Sequence, residues 1–333
     1  MIQDEVSVAM ATYNGERYIG EQLRSIAMQR LLPSELVVCD DQSTDSTLEI
    51  VEDFARTAPF PVRVYRNAER LRFSENFMKA ARLCRGRYIA FSDQDDVWHP
   101  HKIERSIVEL ERTGALMCTH PVDLIDQRGE RVGMTINHSR HPLLSGDTFN
   151  PWGVFLGFTC TIDRRLLEMV DPGTRPNDLL EYDQRMAHDR WFYLVAGLFG
   201  SLCYVDTPLA LYRQHDGNVF GRTRSTMVQR IAKATRKYPT YISHRQRIAA
   251  SIARMLAERR DPDPAPGLAA ATRRWTELAT FYAMRHAAFS RPKRLARLMR
   301  LVSAYRHQAY RPGWGRGGRA LFMQDAIAAL IAR

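Results

Sequence analysis

Three aspartates follow a short apolar run in the segment YIAFSDQDDVWHP, which spans residues 88–100. Asp93, Asp95 and Asp96 fall within four positions, and crowded carboxylates repel one another unless something compensates their charge. A hard divalent cation such as Mg²⁺ or Mn²⁺ prefers oxygen ligands and commonly binds substrate phosphates beside one or two carboxylates. Alternatively, Asp93 or Asp96 caps a helix predicted near 99–112. Capping requires one aspartate rather than three, so the segment favours a metal or phosphate site.

Two other acidic residues also end an apolar run. Asp40 and Asp41 follow ELVVC, and Asp45 or Ser46 is placed to cap a helix predicted from Thr47. Asp40 has no helix of its own to cap. Its carboxylate is therefore a candidate for binding a base edge or ribose hydroxyls, as acidic residues at strand ends do in nucleotide-binding folds.

The first apolar run ends in the turn ATYNGERYI, which contains Thr12, Tyr13 and Asn14. A dinucleotide-binding turn requires Gly-x-Gly-x-x-Gly at this place, and only Gly15 and Gly20 are present. The turn therefore argues against a dehydrogenase, and Asn14-Gly15 is also typical of an ordinary turn.

Two groups within residues 188–215 combine side chains used in catalysis. Asp189 follows His188 at the start of an apolar helical segment, where it acts either as the helix N-cap or as a general base for an acceptor hydroxyl. Arg213 and His215 follow a predicted strand in ALYRQHDGNVFG. Arg213 near His215 suits a diphosphate, although packing at the surface explains the pair equally well.

Short apolar runs alternate with segments of helical periodicity through the first third of the chain. This alternation predicts βαβ units, hence an α/β fold with a parallel sheet covered by helices. Ligands bind at the carboxyl ends of the strands in such sheets, so three of the polar clusters are expected to share one crevice. The predicted strands are 6–11, 35–40, 62–66, 87–92 and 115–119, with helices between them and over 101–112, then a helix near 188–200 and a strand pair at 201–206 and 209–214.

Composition restricts the class of protein further. The chain has 333 residues and is 45% hydrophobic, which is enough for one large domain or two. No stretch approaches the roughly 18 apolar residues of a membrane span, and the acidic start of the sequence is unlike a secretory signal. Five widely spaced cysteines without a Cys-x-x-Cys pair indicate a reduced, cytoplasmic protein rather than a disulfide or zinc scaffold.

Charge divides the chain into two regions. Residues 225–333 contain 22 Lys and Arg against 5 Asp and Glu, a net charge of +17, whereas residues 1–224 contain 26 and 32, a net charge of −6. We therefore predict a catalytic α/β domain over 1–224 and a basic α-helical region over 225–333, broken at 261–267 and 311–318.

The basic region requires an anionic partner or a packing role. In the segment at 291–311, Leu295, Leu298, Met299 and Val302 lie near one another on a helix, with arginines elsewhere around it. Such a helix packs in a helical domain, forms a homo-oligomer interface, or lies on an anionic membrane. Nucleic acid is disfavoured because no recognition module is visible.

Five segments, taken in order, resemble the signatures of family 2 glycosyltransferases, and most closely a bacterial rhamnosyltransferase-like branch. They cover about residues 5–221 and include Ser-Asp-Gln-Asp-Asp-x-Trp and Tyr-Arg-Gln-His-x-x-Asn. The five segments are SVAMATYNGERYIGEQLRSIAMQ, VVCDDQSTDSTLEIV, FSENFMKAARLCRGRYIAFSDQDDVWHPHKI, HDRWFYLVAG and LYRQHDGNVFG.

The resemblance implies a GT-A fold, with a Rossmann-like nucleotide-binding half and a mixed central sheet. It also implies a role for each matching residue. Asp189 is the catalytic base, Asp95 and His215 hold a Mg²⁺ or Mn²⁺ ion, and Asp96, Trp191 and His188 support them. Arg190 stands where many relatives have tryptophan, which affects the expected acceptor contacts beside the base. The expected donor-nucleotide contacts are Thr12, Tyr13, Asn14, Asp40, Asp41, Asp93 and Arg213.

The implied reaction is a single displacement that inverts the anomeric centre. A divalent ion neutralises the diphosphate leaving group, and Asp189 deprotonates a hydroxyl of a glycan or lipid-linked acceptor. The branch implies dTDP-rhamnose as donor and bacterial surface polysaccharide as product, with a UDP-hexose as the alternative donor. A non-catalytic nucleotide-binding protein or a receiver-like signalling domain is the alternative from another class. A receiver normally has its acidic pair after the first strand, whereas Asp40 and Asp41 follow the second.

Overall fold

A computed structural model describes residues 5–139, 141–145, 149–153, 155–178, 184–215, 227–259, 268–306, 310 and 318–331. The chain forms two compact units. The first comprises Met1–Gly146, Gly153–Gly173 and Met186–Arg222. The second comprises Asp147–Trp152, Thr174–Arg185 and Thr223–Arg333. The predicted boundary at 224 lies outside the described residues.

Fourteen strands are described, and most belong to the first unit. Four parallel strands form one side of its main sheet. The strand Glu35–Asp40 is buried along its whole length, as expected for a parallel sheet with both faces covered. The strands are β1 (Val6–Thr12), β2 (Glu35–Asp40), β3 (Val62–Arg66), β4 (Tyr88–Ser92), β5 (Val97–Trp98), β6 (Met117–Thr119), β7 (Val122–Ile125), β8 (Arg131–Ile136), β9 (Leu143–Leu144), β10 (Thr161–Asp163), β11 (Asn177–Asp178), β12 (Gln184–Arg185), β13 (Leu202–Tyr204) and β14 (Ala210–Arg213).

The main sheet has the order β3-β2-β1-β4-β10-β6-β13-β9. It is mixed, because β10 runs antiparallel to both β4 and β6. The order reverses at β1, which has β2 on one side and β4 on the other. In open α/β sheets such a reversal leaves a crevice at the carboxyl ends of the strands, where ligands bind.

Ten α-helices are described, and helical periodicity predicted the first four closely. Each of α1 to α4 buries one apolar stripe, as the spacing of their Leu, Ile, Val and Phe residues requires. The helices are α1 (Ile19–Ala27), α2 (Thr47–Ala55), α3 (Arg72–Leu83), α4 (Lys102–Thr113), α5 (Leu166–Met169), α6 (His188–Phe199), α7 (Met227–Glu258), α8 (Leu268–Phe289), α9 (Arg294–Arg306) and α10 (Gly318–Ile331).

The two strands predicted at 201–206 and 209–214 form, but they do not pair with each other. β13 joins the main sheet beside β6, whereas β14 pairs with β5 and β7 in a second sheet of order β5-β14-β7-β8. The register of β14 places Leu211 opposite Val97. The start of the HDGN segment therefore lies close to the aspartates that precede β5.

The second unit contains α7 to α10 together with two short pieces of earlier chain. A buried ion pair joins two of its helices: Arg285 on α8 donates to both carboxylate oxygens of Asp325 on α10. Tyr238 and Tyr310 donate to the same carboxylate. Within the described residues, none of the helices combines the length and the hydropathy of a membrane span.

Candidate active site

The three aspartates of the sequence motif form one acidic cluster after β4. Their carboxylate oxygens lie within 4.8 Å of one another. Asp93 and Asp95 are half-buried, whereas Asp96 is fully buried. Neither Asp93 nor Asp96 caps α4: its N-cap is His101, and the N–H of Ile103 in its first turn donates to Gln29 Oε1 at 3.1 Å. The capping alternative is therefore wrong for this cluster.

Arg213 holds the cluster from the side of β14. Its backbone N–H donates to Asp96 Oδ1 at 3.1 Å, and its Nε donates to the carbonyl oxygen of Asp95 at 3.0 Å. The same guanidinium donates to Glu21 at 2.6 Å and lies over the ring of Tyr18. Because this side chain is only 2% exposed, it is a fixed support of the acidic cluster, and its predicted contact with the donor stays a prediction.

His215 also reaches the acidic cluster. Its Nε2 lies 2.7 Å from Asp95 Oδ2, and its ring lies 5.0 Å from the ring of Tyr18 between centroids. The two predicted metal ligands are therefore neighbours, although 120 positions separate them in the sequence. Asn218 and Gly221, which belong to the same motif, lie outside the described residues.

Burial makes the cluster electrostatically costly as long as no cation is bound. Burial, with the charges of Asp95 and Asp189, raises the pKa of Asp93 to about 8. Burial and the charges of Asp95 and Asp93 raise the pKa of Asp96 well above its usual range, against the opposing effect of Arg213. Asp96 Oδ2 is buried and has no hydrogen-bond partner among the described residues. This set of oxygens fits a hard divalent cation.

Thr12 and Asp40 lie side by side at the ends of β1 and β2, in the register that pairs them. Thr12 Oγ1 donates to Asp40 Oδ1 at 2.9 Å, and Ser43 donates to both oxygens of Asp40 through its N–H and hydroxyl. Asp40 is fully buried. Three hydrogen bonds thus orient its carboxylate and fix the turn that follows β2.

Asp41 points into a different loop. Its carboxylate accepts hydrogen bonds from Asn67 Nδ2 and from the backbone N–H groups of Leu71 and Arg72. Arg72 has a positive φ of 62°, a strained conformation for a residue other than glycine. Asp41 therefore fixes the start of α3, and its predicted contact with the nucleotide is untested.

Tyr13 and Asn14 are the exposed part of the crevice. The Tyr13 ring is 37% exposed and has the Arg70 guanidinium 3.7 Å from its centroid. Asn14 has φ 47°, and its side-chain oxygen accepts from Thr44 N–H at 2.9 Å. A flat ring backed by a cation is a suitable surface for stacking a nucleotide base.

Gln94, which lies between Asp93 and Asp95, joins this turn to the acidic cluster. Sequence reasoning did not recognise this role of Gln94. Its amide bonds the N–H of Tyr13 at 2.9 Å and the carbonyl of Tyr13 at 3.0 Å. A Cβ on Gly15 would lie 2.4 Å from Gln94 Oε1, so a larger residue at this position would have to displace the Gln94 amide. The spacing between the first and the fourth strand motif gives no signal for this contact.

Asp189 lies in the first turn of α6 and close enough to the acidic cluster to raise the pKa of Asp93. The N-cap of α6 is Ala187, so Asp189 is not the N-cap. His188 packs its ring on Phe77 and Phe91, with centroids 4.1 and 4.7 Å away. Trp191 is fully buried in the same helix. These two supporting residues fix α6 and thereby the position of Asp189.

Lys102 is a second residue that sequence reasoning missed. It is fully buried, with its Nζ 3.7 Å from the centroid of the Trp98 ring and without a hydrogen bond among the described residues. Burial lowers its pKa to about 7, and the charge of Asp96 is among the effects that oppose this. The ammonium of Lys102, at the start of α4, is therefore close enough to Asp96 to interact with its charge.

Several proteins with similar sequences are named as glycosyltransferases. The sequence profile of "Glycosyl transferase family 2" matches residues 7–170. An "Uncharacterized glycosyltransferase" of Nostoc is 26% identical over 69% of this chain and 71% of its own length. The "dTDP-rhamnosyl transferase RfbG" of Shigella flexneri is 31% identical over 64% of this chain and 73% of its own length.

Solved structures show the same fold. TarS 1-349 of S. aureus in complex with UDP has a TM-score of 0.56 at 17% identity, covering 98% of this chain and 90% of that chain. The same protein in complex with UDP-GlcNAc has a TM-score of 0.54 at 18% identity, covering 92% and 93%. The predicted GT-A fold is confirmed, and the receiver-like alternative is set aside. Together with the acidic cluster at the sheet's switch point, these matches show that the chain belongs to glycosyltransferase family 2 and is a glycosyltransferase with a nucleotide-sugar donor.

Proposed function

We propose that the enzyme is an inverting, metal-dependent transferase that moves L-rhamnose from dTDP-rhamnose to a hydroxyl of a glycan or lipid-linked acceptor in bacterial surface polysaccharide synthesis. The acidic cluster after β4 is the observation that carries this proposal. The choice of dTDP-rhamnose is supported by the similarity to a relative that is named as a dTDP-rhamnosyl transferase.

The acidic cluster would hold the metal through Asp95, with Asp93 and Asp96 beside it and His215 available as a nitrogen ligand. Carboxylates and imidazole suit Mn²⁺, and carboxylates alone suit Mg²⁺. When bound, the ion supplies positive charge to the diphosphate on which negative charge develops as the glycosidic bond breaks. Arg213 keeps the backbone of Asp95 and the carboxylate of Asp96 in place for this task.

The nucleotide would lie across the carboxyl ends of β1 and β2. Tyr13 offers an exposed ring, and the Thr12–Asp40 pair fixes the floor beneath it. We assign Asn14 and Asp41 to shaping this crevice, because their side chains bind the neighbouring loops. The base and ribose are thereby oriented before the sugar reaches the acceptor.

Asp189 would act as the general base. Its carboxylate lies within electrostatic range of Asp93, hence near the sugar end of the donor. In a single displacement the acceptor oxygen forms a bond to the anomeric carbon, and the bond from that carbon to the phosphate oxygen breaks. Asp189 takes the hydroxyl proton, and the nucleoside diphosphate leaves with the bonding electron pair. No second carboxylate is assigned as a nucleophile, so the anomeric configuration inverts.

The proposed place of action is the cytoplasm, at the inner face of the cell membrane. All five cysteines are buried and free, which supports a reducing compartment. A nucleotide-sugar donor is made in the same compartment, and a lipid-linked acceptor would be reached at the membrane surface.

A panel of nucleotide sugars tests the donor. We expect release of nucleoside diphosphate from dTDP-rhamnose in the presence of Mn²⁺ or Mg²⁺, and a rise in melting temperature with dTDP. A shift and turnover with UDP-hexoses but not with dTDP-rhamnose would replace the rhamnosyl proposal by its UDP-hexose alternative. Turnover at an unchanged rate in EDTA would contradict metal dependence.

Single substitutions test the two assigned roles. Asp95→Ala and Asp189→Asn are each expected to abolish sugar transfer while leaving the fold intact by circular dichroism. The control is Asp53→Asn, because Asp53 is an exposed aspartate of α2 that pairs with Arg56. Asp189→Asn should still bind the donor and metal, whereas Asp95→Ala should lose metal binding. Near wild-type turnover in either variant would refute its role.

A further inference from the structure

Exposed apolar side chains are concentrated on the last two helices. Within the described part of the chain, twelve large apolar residues are well exposed, and seven of them belong to α9 or α10. Leu295 and Met299 on α9 are 67% and 64% exposed. Leu295 and Met299 were predicted to share an apolar face, yet the buried residues of α9 are Arg297 and Leu301. The apolar side of α9 is therefore exposed over a full turn.

α10 has buried residues on one face and exposed apolar side chains on the opposite face. One face packs within the second unit through Leu321, Asp325, Ala328 and Ala329. The other presents Met323, Ile327, Leu330 and Ile331, which are 48–54% exposed. Both sets follow the i, i+4, i+7, i+8 spacing of a single helix face. A contiguous exposed apolar face commonly marks a surface that another molecule covers, so the second face calls for an occupant.

The neighbouring sequence is cationic and contains no acid. Between residues 278 and 324 the chain has ten arginines and lysines and no aspartate or glutamate. Arg291, Lys293, Arg294, Arg300 and Arg306 are exposed. Exposed apolar residues among exposed arginines are the pattern of a helix that lies in the surface of an anionic bilayer.

We propose that the exposed faces of α9 and α10 bind an anionic lipid bilayer. The apolar side chains enter the boundary between headgroups and acyl chains, and the arginines bind the lipid phosphates. A second copy of the chain is the less suitable occupant, because a two-fold interface would place this cationic surface against itself, and charged residues are depleted in the core of such interfaces. The proposal deepens the proposed peripheral location, and its test requires no sugar transfer.

Vesicle flotation of the full chain tests the apolar part. We expect the protein to float with vesicles of phosphatidylcholine and phosphatidylglycerol and to remain unbound with phosphatidylcholine alone. Met323→Gln with Ile327→Gln should reduce partitioning roughly tenfold or more. The matched control is Met28→Gln with Val132→Gln, two side chains of the first unit that are 70% and 51% exposed, and it should bind as wild type. Equal binding by the two double variants would overturn the proposal.

Charge and oligomeric state test the rest. Arg294→Gln with Arg300→Gln should weaken binding and reduce its dependence on salt, whereas Arg30→Gln with Arg82→Gln, exposed arginines of the first unit, should not. Equal binding to neutral and anionic vesicles would overturn the proposal. So would a concentration-dependent dimer in sedimentation that the Met323→Gln, Ile327→Gln variant loses, without any binding to vesicles. If the wild-type protein binds vesicles but transfers no sugar, the enzymatic proposal alone is contradicted.

Discussion

Protons should compete with the metal for the acidic cluster. Burial and the charges of Asp95 and Asp189 raise the pKa of Asp93 to about 8, so most of the protein carries a protonated Asp93 at neutral pH. A metal requires the ionised form, and its binding must therefore release this proton. With a pKa of about 8, roughly 1% of Asp93 is ionised at about pH 6 and half at about pH 8.

The expected effect is a rise in apparent Mn²⁺ affinity of about fiftyfold between about pH 6 and about pH 8 from this one group. The raised pKa of Asp96 adds to the slope. Stability of the metal-free protein should change in the opposite sense. Asp93 binds a proton in the folded chain where the unfolded chain has lost it, so its contribution to stability falls as pH rises from about 4 to about 8.

Isothermal titration calorimetry with Mn²⁺ in two buffers of different ionisation enthalpy measures both the affinity and the protons released. The Asp93→Asn variant should lose one proton from the slope and bind nearly as well as wild type at the acidic end. Asp53→Asn, in the exposed pair with Arg56, is the matched control and should keep the full slope. An affinity that does not change with pH, without proton release, would refute the assignment of the cluster as the metal site.

Two further substitutions test packing that supports the site and the helical unit. Gly157→Ala puts a Cβ 2.7 Å from His188 Nε2 and 3.6 Å from Asp189 Cβ. Because this contact displaces the proposed base, we expect kcat to fall at least tenfold with little change in donor affinity. Equal losses in kcat and in donor affinity would contradict a specific effect on the base. Asp325→Ala leaves the buried Arg285 without its carboxylate and should lower the free energy of unfolding by about 3–5 kcal/mol. Urea titration measures this loss, with Asp53→Ala at an exposed aspartate as the control. A loss below about 1 kcal/mol would refute the importance of the pair.

Local patterns were sufficient to predict the frame of the active site. The runs predicted at 6–11, 35–40 and 87–92 became β1, β2 and β4, because alternating strands and helices leave few arrangements other than a parallel sheet. The clusters that follow these strands meet at one edge for the same reason. Beyond residue 200 the same approach was less successful: β13 and β14 have adjacent sequences but pair in different sheets, which only long-range contacts decide.

Sequence types could not distinguish carboxylates that do chemistry from those that hold the chain. Asp40 and Asp41 are adjacent and identical in type, yet one orients Ser43 and Thr12 while the other binds the loop before α3. Each is satisfied by N–H and hydroxyl donors. The hydrogen bonds that reach Asp96 leave one of its oxygens without a partner among the described residues, although this carboxylate is as deeply buried as Asp40.

This difference in hydrogen-bond partners is the reason to place the cation at the acidic cluster after β4 rather than at Asp40 and Asp41. A buried carboxylate with one oxygen unpartnered among the described residues is stabilised by nearby positive charge. The basic groups whose charges act on Asp96 are Arg213, which also pairs with Glu21, and Lys102, whose pKa burial lowers to about 7. Neither was recognisable as a counter-charge from the sequence, since Lys102 reads as an ordinary residue at the start of an amphipathic helix. Even with these two groups, burial and the mutual repulsion of Asp93, Asp95 and Asp96 raise the pKa values of Asp93 and Asp96 enough to hold protons on the cluster at neutral pH. The remaining negative charge is what a divalent ion and the diphosphate attached to it would share.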